Sequence, residues 1–306
     1  MSRRKPRGRN VNGILLLDKG IGITSNAALQ KVKRLYQASK AGHTGSLDPL
    51  ASGLLPLCLG EATKLSSFLL DADKAYAGVC KLGVKTSTAD AEGEVIETRP
   101  VPDLSEAQLR DVLAKFVGVI DQIPPMHSAI KMQGQPLYKL AHQGIEVERQ
   151  PRQVTIHSLT LTRLEGDEFA FDLQCSKGTY VRTLAEDIGE VLGCGAHLSA
   201  LRRTQVGPFE LDHAVTLEQL EQTAQEASMA GLDKLLIPMD QALDQWPAVH
   251  LSDNSAYYVR QGQAVLVAKA PTSGWVRLFA SNDGFLGVGQ ILEDGRVAPK
   301  RLVNTR

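Results

Sequence analysis

The chain lacks the features that would place it outside the cell, in a membrane or around a metal ion. Its four cysteines, Cys58, Cys80, Cys175 and Cys194, stand far apart with no C-x-x-C pair. Structural zinc draws its ligands from residues clustered a few positions apart, so no metal site is expected. Scattered thiols in apolar settings fit a reducing compartment. The basic start MSRRKPRGRN has no apolar stretch behind it, so it does not read as a secretory signal. No run approaches the roughly 20 apolar residues of a membrane helix. A cytoplasmic protein with no membrane partner is expected. Internal repeats, low-complexity tracts and the twelve-residue calcium-loop pattern are also missing.

Net charge is absent as well, with 34 Lys and Arg against 34 Asp and Glu. That balance argues against a nucleic-acid partner until the distribution is considered. Met1 to Lys85 holds 14 basic and 5 acidic residues, a surplus of nine, while acidic residues concentrate around Asp90–Asp121 and Glu210–Asp244. Segregated charge can build one positive face, which phosphate binding requires. A solvated basic helix with a frayed tail accounts for it equally well.

What is present suffices for a substantial core: 306 residues, 43% hydrophobic, allow one large domain or a large and a small one. Residues 1–10 form a basic arm. NGILLLDKGIG reads as a buried strand entering a Gly-rich turn. Thr24 or Ser25 can cap the following helix, in which Leu29, Val32 and Tyr36 recur at helical spacing and Lys31, Lys33 and Arg34 populate the other faces. KAYAGVCKLGV alternates as a strand with Tyr76, Gly78, Cys80 and Leu82 on one face. TADAEGEVIE reads as a surface hairpin turn. Residues 121–152, rich in Pro, Gly and Gln, form an excursion with a short helix around Leu137–His142, either a binding loop or a poorly ordered one. VTIHSLTLTRLEGDEFAFDLQCS gives two strands joined at Glu165–Gly166–Asp167, and a helix starts within KGTYVRTLAEDIG. Pro238 and Pro247 bracket a linker. The alternating runs AVLVA, WVRLFA and FLGVGQIL beyond it suggest a small β-barrel over 248–306.

Two stretches carry chemistry. GHTGSLDPLASG places one carboxylate, Asp48, between small-residue turns, where glycines allow close backbone approach to a ligand. Asp before Pro is also a common turn former, and locally the turn explanation is slightly the better one. His43 alone fits a hydrogen-bonded loop histidine. In CSKGTYVRTLAEDIG, Tyr180 and Arg182 lie two apart. An arginine can hold a carboxylate ionised, but Arg182 can equally pair with Glu186 one helical turn on.

These motifs occur together and in order with IPPMHSAIK, GQPLYKLAHQGIEV and AHLSALRRTQVGPF. The set resembles the bacterial tRNA pseudouridine synthase B (TruB) family over nearly the whole chain from about Asn12. The resemblance implies a mixed α/β catalytic domain over 11–245, with a largely antiparallel sheet in the pseudouridine synthase fold. It also implies an RNA-gripping insertion at 121–152 and a PUA-like RNA-binding β-barrel over 248–306. The implied activity is isomerisation of uridine 55 in the tRNA TΨC loop, by base flipping and without a cofactor, in a monomer. Asp48 is then the nucleophile and Arg182 its charge partner. Tyr76 stacks on the base and is the candidate proton acceptor. Tyr180 and Leu201 line the base pocket, and His43 meets the RNA where the base has left. Lys19, Lys64 and Arg202 are phosphate or structural contacts, and Lys131, Tyr138 and Lys139 lie on the gripping loop. One departure is His127, where an aromatic residue, commonly Tyr, is expected. The guide-RNA-dependent synthase type is a rival within the class, and a non-catalytic RNA-binding or tRNA-folding protein is the alternative outside it.

The tRNA affinity that the resemblance implies is expected to fall with salt if the basic surplus builds one face, with a log–log slope of about −0.7 to −0.9 per phosphate contact. Filter binding between 50 and 200 mM salt checks this; a flat response would reject the basic face.

Overall fold

The computed structural model describes residues 8–304 apart from 129, 133 and 142. The expected arm at 1–10 therefore lies mostly outside the described residues. Its end is fixed: Arg9 pairs with Asp233 through two contacts of 2.6 Å, Nη1 to Oδ2 and Nη2 to Oδ1. Those residues divide into two compact units, the first covering 8–46, 54–70 and 206–304 and the second 47–53 and 71–205. Among them, no helix is long and apolar enough to cross a membrane.

In the first unit the strand Gly13–Lys19 is almost wholly buried and pairs in parallel with Val215–Thr216. The helix Ser25–Leu35 follows, and Thr24 is its cap, accepting from the Ala27 N–H at 3.1 Å. Leu29, Val32 and Tyr36 face inward as the 3.6-residue period dictates. The strand Ala41–His43 pairs antiparallel with the far end of Ser52–Leu59, His43 opposite Leu57. The four cysteines are buried and unbridged.

The second unit is built on five neighbouring strands: Ala196–Val206, Lys74–Leu82, Glu168–Cys175, Arg152–Glu165 and Gly118–Gln122, in that order across the sheet. The last three pairings are antiparallel. Lys74–Leu82 alternates buried and half-buried residues along its length, with Tyr76, Gly78, Cys80 and Leu82 on the buried face as the period of two requires. Gly78 stands opposite Phe171, and a Cβ there would lie 2.4 Å from the Phe171 ring, so only glycine fits beneath it. The helix Glu106–Ala114 opens on a capping box between Ser105 and Gln108. The helix Val181–Val191 buries Leu184, Ala185 and Ile188.

The C-terminal region departs from expectation. The span between Pro238 and Pro247 is not an open linker: Met239, Ala242 and Leu243 are buried in one core with Ile14, Leu16, Leu54 and Val288. Trp246 stacks on Trp275 at 5.4 Å and meets Phe68 edge-on at 4.9 Å. Four strands do form a sheet, Ala248–His250, Trp275–Phe279, Phe285–Ile291 and Val297–Leu302. The run AVLVA contributes a single bridge, Val265 to Val297, and Asp253–Arg260 is a helix. Aromatic pairs of this kind add about 0.5–1.5 kcal/mol each beyond their burial. Truncation after Trp246 is therefore expected to unfold the first unit, seen as loss of the cooperative thermal transition; a truncated chain that still melts cooperatively would contradict the shared core.

Candidate active site

Asp48 lies in the loop between Ala41–His43 and Ser52–Leu59, in a turn closed by the Ala51 N–H donating to the Asp48 carbonyl at 3.1 Å. The backbone turn expected of Asp–Pro is present, and the Asp48 side chain is 43% exposed. The end of the loop is pinned by register: Ser52 and Gly53 pair in parallel with Arg202 and Arg203. Gly53 has φ of +102°, and a Cβ on it would sit 2.3 Å from the Arg203 carbonyl oxygen. Arg202 adds a bond from Nη1 to Ser52 Oγ at 3.2 Å, which fits the structural of its two expected roles.

Arg182 meets this loop from the first turn of Val181–Val191. Its backbone is held through Tyr180, whose N–H donates to Gln122 Oε1 at 3.0 Å while Gln122 Nε2 donates back to the Tyr180 carbonyl at 3.3 Å. Gln122 is buried on its strand. The Arg182 guanidinium places Nε 3.0 Å from Asp48 Oδ2 and Nη1 3.3 Å from Asp90 Oδ2. Nη1 also donates to the Thr88 carbonyl at 3.2 Å, and Nη2 to the His127 carbonyl at 2.8 Å. The Arg182 side chain is 7% exposed, Asp90 3% and Asp48 43%. Glu186, the competing partner of Arg182, instead lies 3.4 Å from Lys85.

The expected surface hairpin forms, Val84–Thr86 pairing antiparallel with the exposed strand Val95–Thr98, but Asp90 in its turn is buried. Its turn is folded inward: Oδ1 accepts from Thr88 Oγ1 at 2.5 Å and from the Glu92 N–H at 3.1 Å, and its carbonyl accepts from Thr86 Oγ1 at 2.6 Å. Sequence reasoning missed it because Asp and Gly in a short turn signal backbone geometry and not burial. The carboxyl of Glu92 is pushed up, first by its partial loss of solvent beside the turn and then by the negative charges of Asp90 and Asp48.

Tyr76 is 9% exposed, and burial pushes its phenol above the ordinary range. Half-buried Tyr180 is raised for the same reason. Leu201 is half-buried on Ala196–Val206. These residues all belong to the second unit with Asp48 and Arg182. His43, Lys19 and Lys64 belong to the first. Lys19 is fully buried and donates to the Gly20 and Ile23 carbonyls, both at 2.8 Å, so it holds the Gly-rich turn and does not offer its charge to a phosphate. Lys64 is partly exposed, 2.6 Å from Glu61 and 2.9 Å from the Leu302 carbonyl. In the insertion, strands Lys131–Met132 and Gln135–Pro136 make a hairpin before the helix Leu137–Ala141, on which Tyr138 and Lys139 are exposed. The expected helix end at His142 and the Lys131 side chain fall outside the described residues.

Three family models cover most of the chain: TruB family pseudouridylate synthase (N terminal domain) at 33–181, tRNA pseudouridylate synthase B C-terminal domain at 182–244, and Pseudouridine synthase II TruB, C-terminal, at 247–303. The tRNA pseudouridine synthase B of Nitrosococcus oceani is 60% identical over 301 residues, 98% of this chain and 97% of that protein. The chain belongs to the TruB family. A second relative, the tRNA pseudouridine synthase B of Stutzerimonas stutzeri, is 57% identical over 100% of both chains. Among solved structures, an H/ACA RNP bound to a substrate RNA containing 2′-deoxyuridine matches with a TM-score of 0.74 at 25% identity, covering 100% of this chain and 92% of that one. A Cbf5-Nop10-Gar1 complex matches with a TM-score of 0.72 at 28% identity, covering 96% and 84%. The mixed α/β pseudouridine synthase fold expected from sequence is therefore the fold of this TruB-family chain.

His127, where the resemblance led us to expect an aromatic residue, meets Arg182 through its main-chain carbonyl, a contact that does not depend on the side chain at this position. Asp90→Asn is expected to lower single-turnover tritium release from C5-labelled uridine by about 10²-fold, the scale of a misplaced catalytic group. Binding of tRNA should stay within about threefold, since Asp90 is buried. An unchanged rate would remove Asp90 from the account.

Proposed function

We propose that the chain isomerises uridine 55 in the TΨC loop of tRNA to pseudouridine, as a cofactor-free cytoplasmic monomer with Asp48 as its nucleophile. The observation that carries this reading is the half-exposed Asp48 carboxylate held 3.0 Å from a buried arginine. A nucleophilic carboxylate must be ionised and fixed in direction, and the adjacent guanidinium favours both. The reaction breaks N1–C1′, turns the base while it is held, and joins C5 to C1′. One proton leaves C5 and one is gained at N1, with no redox change or group transfer to a second molecule. Attack by Asp48 at C1′ displaces the base directly; attack at C6 tethers it first. Both begin from the same ionised group.

Flipping the uridine costs a few kcal/mol before chemistry starts. In this reading Tyr76 stacks on the flipped base beside Tyr180 and Leu201, His43 meets the vacated position, and the helix bearing Tyr138 and Lys139 grips the RNA with Lys131. The C-terminal sheet acts as a PUA-like RNA contact. Relatives named as tRNA pseudouridine synthases at 57–60% identity support tRNA as substrate over a guide-RNA complex.

Asp48→Asn keeps the shape and removes the charge. It is expected to abolish tritium release from C5-labelled tRNA while tRNA binding survives. Release at the wild-type rate would show that Asp48 is not the nucleophile.

A further inference from the structure

Ser128 is 5% exposed, yet its hydroxyl makes no hydrogen bond to any of the described residues. Its main chain is fully engaged: the N–H donates to the Met126 carbonyl at 2.9 Å, and the carbonyl accepts from the Tyr138 N–H at 3.0 Å. The side chain alone is unmet. Buried hydroxyls are as a rule hydrogen-bonded, because an unmatched one loses its bonds to water without replacement. Beside a reactive site, the missing partner of such a group is an atom of the ligand.

The surroundings of Ser128 are those of the proposed site. The preceding residue, His127, accepts from Arg182 Nη2 at 2.8 Å through its carbonyl, and Arg182 Nε lies 3.0 Å from Asp48 Oδ2. Tyr180, two residues before Arg182, is tied through its main chain to Gln122, at the end of the strand that leads into this segment. Burial raises the Tyr180 phenol and Ser128 opposes that rise, so the two hydroxyls are neighbours, though Ser128 Oγ is not placed to bond. Tyr180 is one of the residues assigned to the wall of the base pocket. An unmatched donor therefore belongs to the same wall.

We propose that Ser128 is a base-binding residue whose hydroxyl donates to a carbonyl oxygen of the flipped uracil. This rests on the pseudouridine synthase reading of the same site. Uracil offers two such acceptors, O2 and O4. Attack of Asp48 at C6 pushes the C5=C6 electrons toward C5 and O4. Attack at C1′ releases the base with the N1–C1′ pair, shared among N1, O2 and O4. Either way a carbonyl oxygen gains negative charge as the reaction proceeds. A fixed donor at that oxygen is stronger in the transition state than with bound substrate, so it acts on rate more than on affinity. The hydroxyl proton stays on Ser128 throughout.

Ser128→Ala is expected to lower single-turnover tritium release from C5-labelled tRNA by about 10²-fold, as loss of one preorganised donor does, with tRNA affinity within about threefold. Its melting temperature should hold or rise, since an unmatched hydroxyl is removed. Ser128→Cys, a poor donor of similar shape, should stay near the alanine rate. The same proteins are then given tRNA bearing 4-thiouridine or 2-thiouridine at position 55, where sulfur accepts weakly, and the product is followed by nucleoside chromatography. With the unsubstituted protein one of the two thio substrates should react about tenfold more slowly, and in Ser128→Ala that penalty should vanish. An unchanged rate in the folded alanine variant overturns the proposal, as do thio penalties equal in both proteins. Ser128→Cys carries the same comparison should the alanine variant not fold. Absence of tritium release from the unsubstituted protein would defeat the pseudouridine reading and this proposal with it. Normal release whose thio penalty is indifferent to Ser128 would defeat the proposal alone.

Discussion

A guanidinium almost closed to solvent, held between two carboxylates and two main-chain carbonyls, is the constraint on which the second unit's site depends. Burying Arg182 costs several kcal/mol unless its donors are matched. Four contacts of 2.8 to 3.3 Å match them, drawn from the Asp48 loop, the inward-folded turn at Thr88–Asp90, and the segment at His127. Three separate stretches of chain are thereby tied to one side chain. Arg182 also sits in the first turn of its helix, where the helix dipole favours anions and disfavours cations. The flanking carboxylates satisfy both the guanidinium and the helix end.

The two carboxylates on Arg182 differ in environment, and that difference separates their roles. Asp90 is enclosed, and its oxygens are taken up by Thr88, the Glu92 N–H and the arginine. It can orient but cannot reach a ligand. Asp48 shares the same cation yet is 43% exposed, so in the proposed reading it is the carboxylate that meets the substrate. Two like groups set apart by burial is the pattern by which one site holds a structural and a reactive carboxylate. Tyr76 follows the same logic on its strand, where burial favours the neutral phenol.

Much of this was legible in the sequence, for reasons that vary by residue. Period-two alternation placed Tyr76 on one face with Gly78, Cys80 and Leu82, the face that is buried, and capping chemistry placed the start of the first helix at Thr24 or Ser25, of which Thr24 is the cap. Asp48 and Arg182 were singled out by family resemblance, since locally a turn explained Asp48 slightly better and an ordinary ion pair explained Arg182 equally well. Asp90 was hidden because turn residues announce backbone shape, while its burial depends on an arginine some ninety residues away. The burial of Arg203 was hidden beside Arg202: on a strand, adjacent residues face opposite ways, and nothing local says which of the two points inward. Lys19, read from resemblance as a phosphate or a structural contact, is buried and donates to two carbonyls of its own turn, a structural role. The span around Trp246 looked like a linker from its prolines, while its Met, Leu and Trp side chains complete the first unit's core.

The most direct test of the central claim is nucleotide-resolution pseudouridine mapping of an unmodified tRNA incubated with the purified protein. The account predicts one new pseudouridine, at position 55, and none in a tRNA carrying cytidine there. A tRNA that is bound but gains no pseudouridine, or gains it at other uridines only, would contradict it.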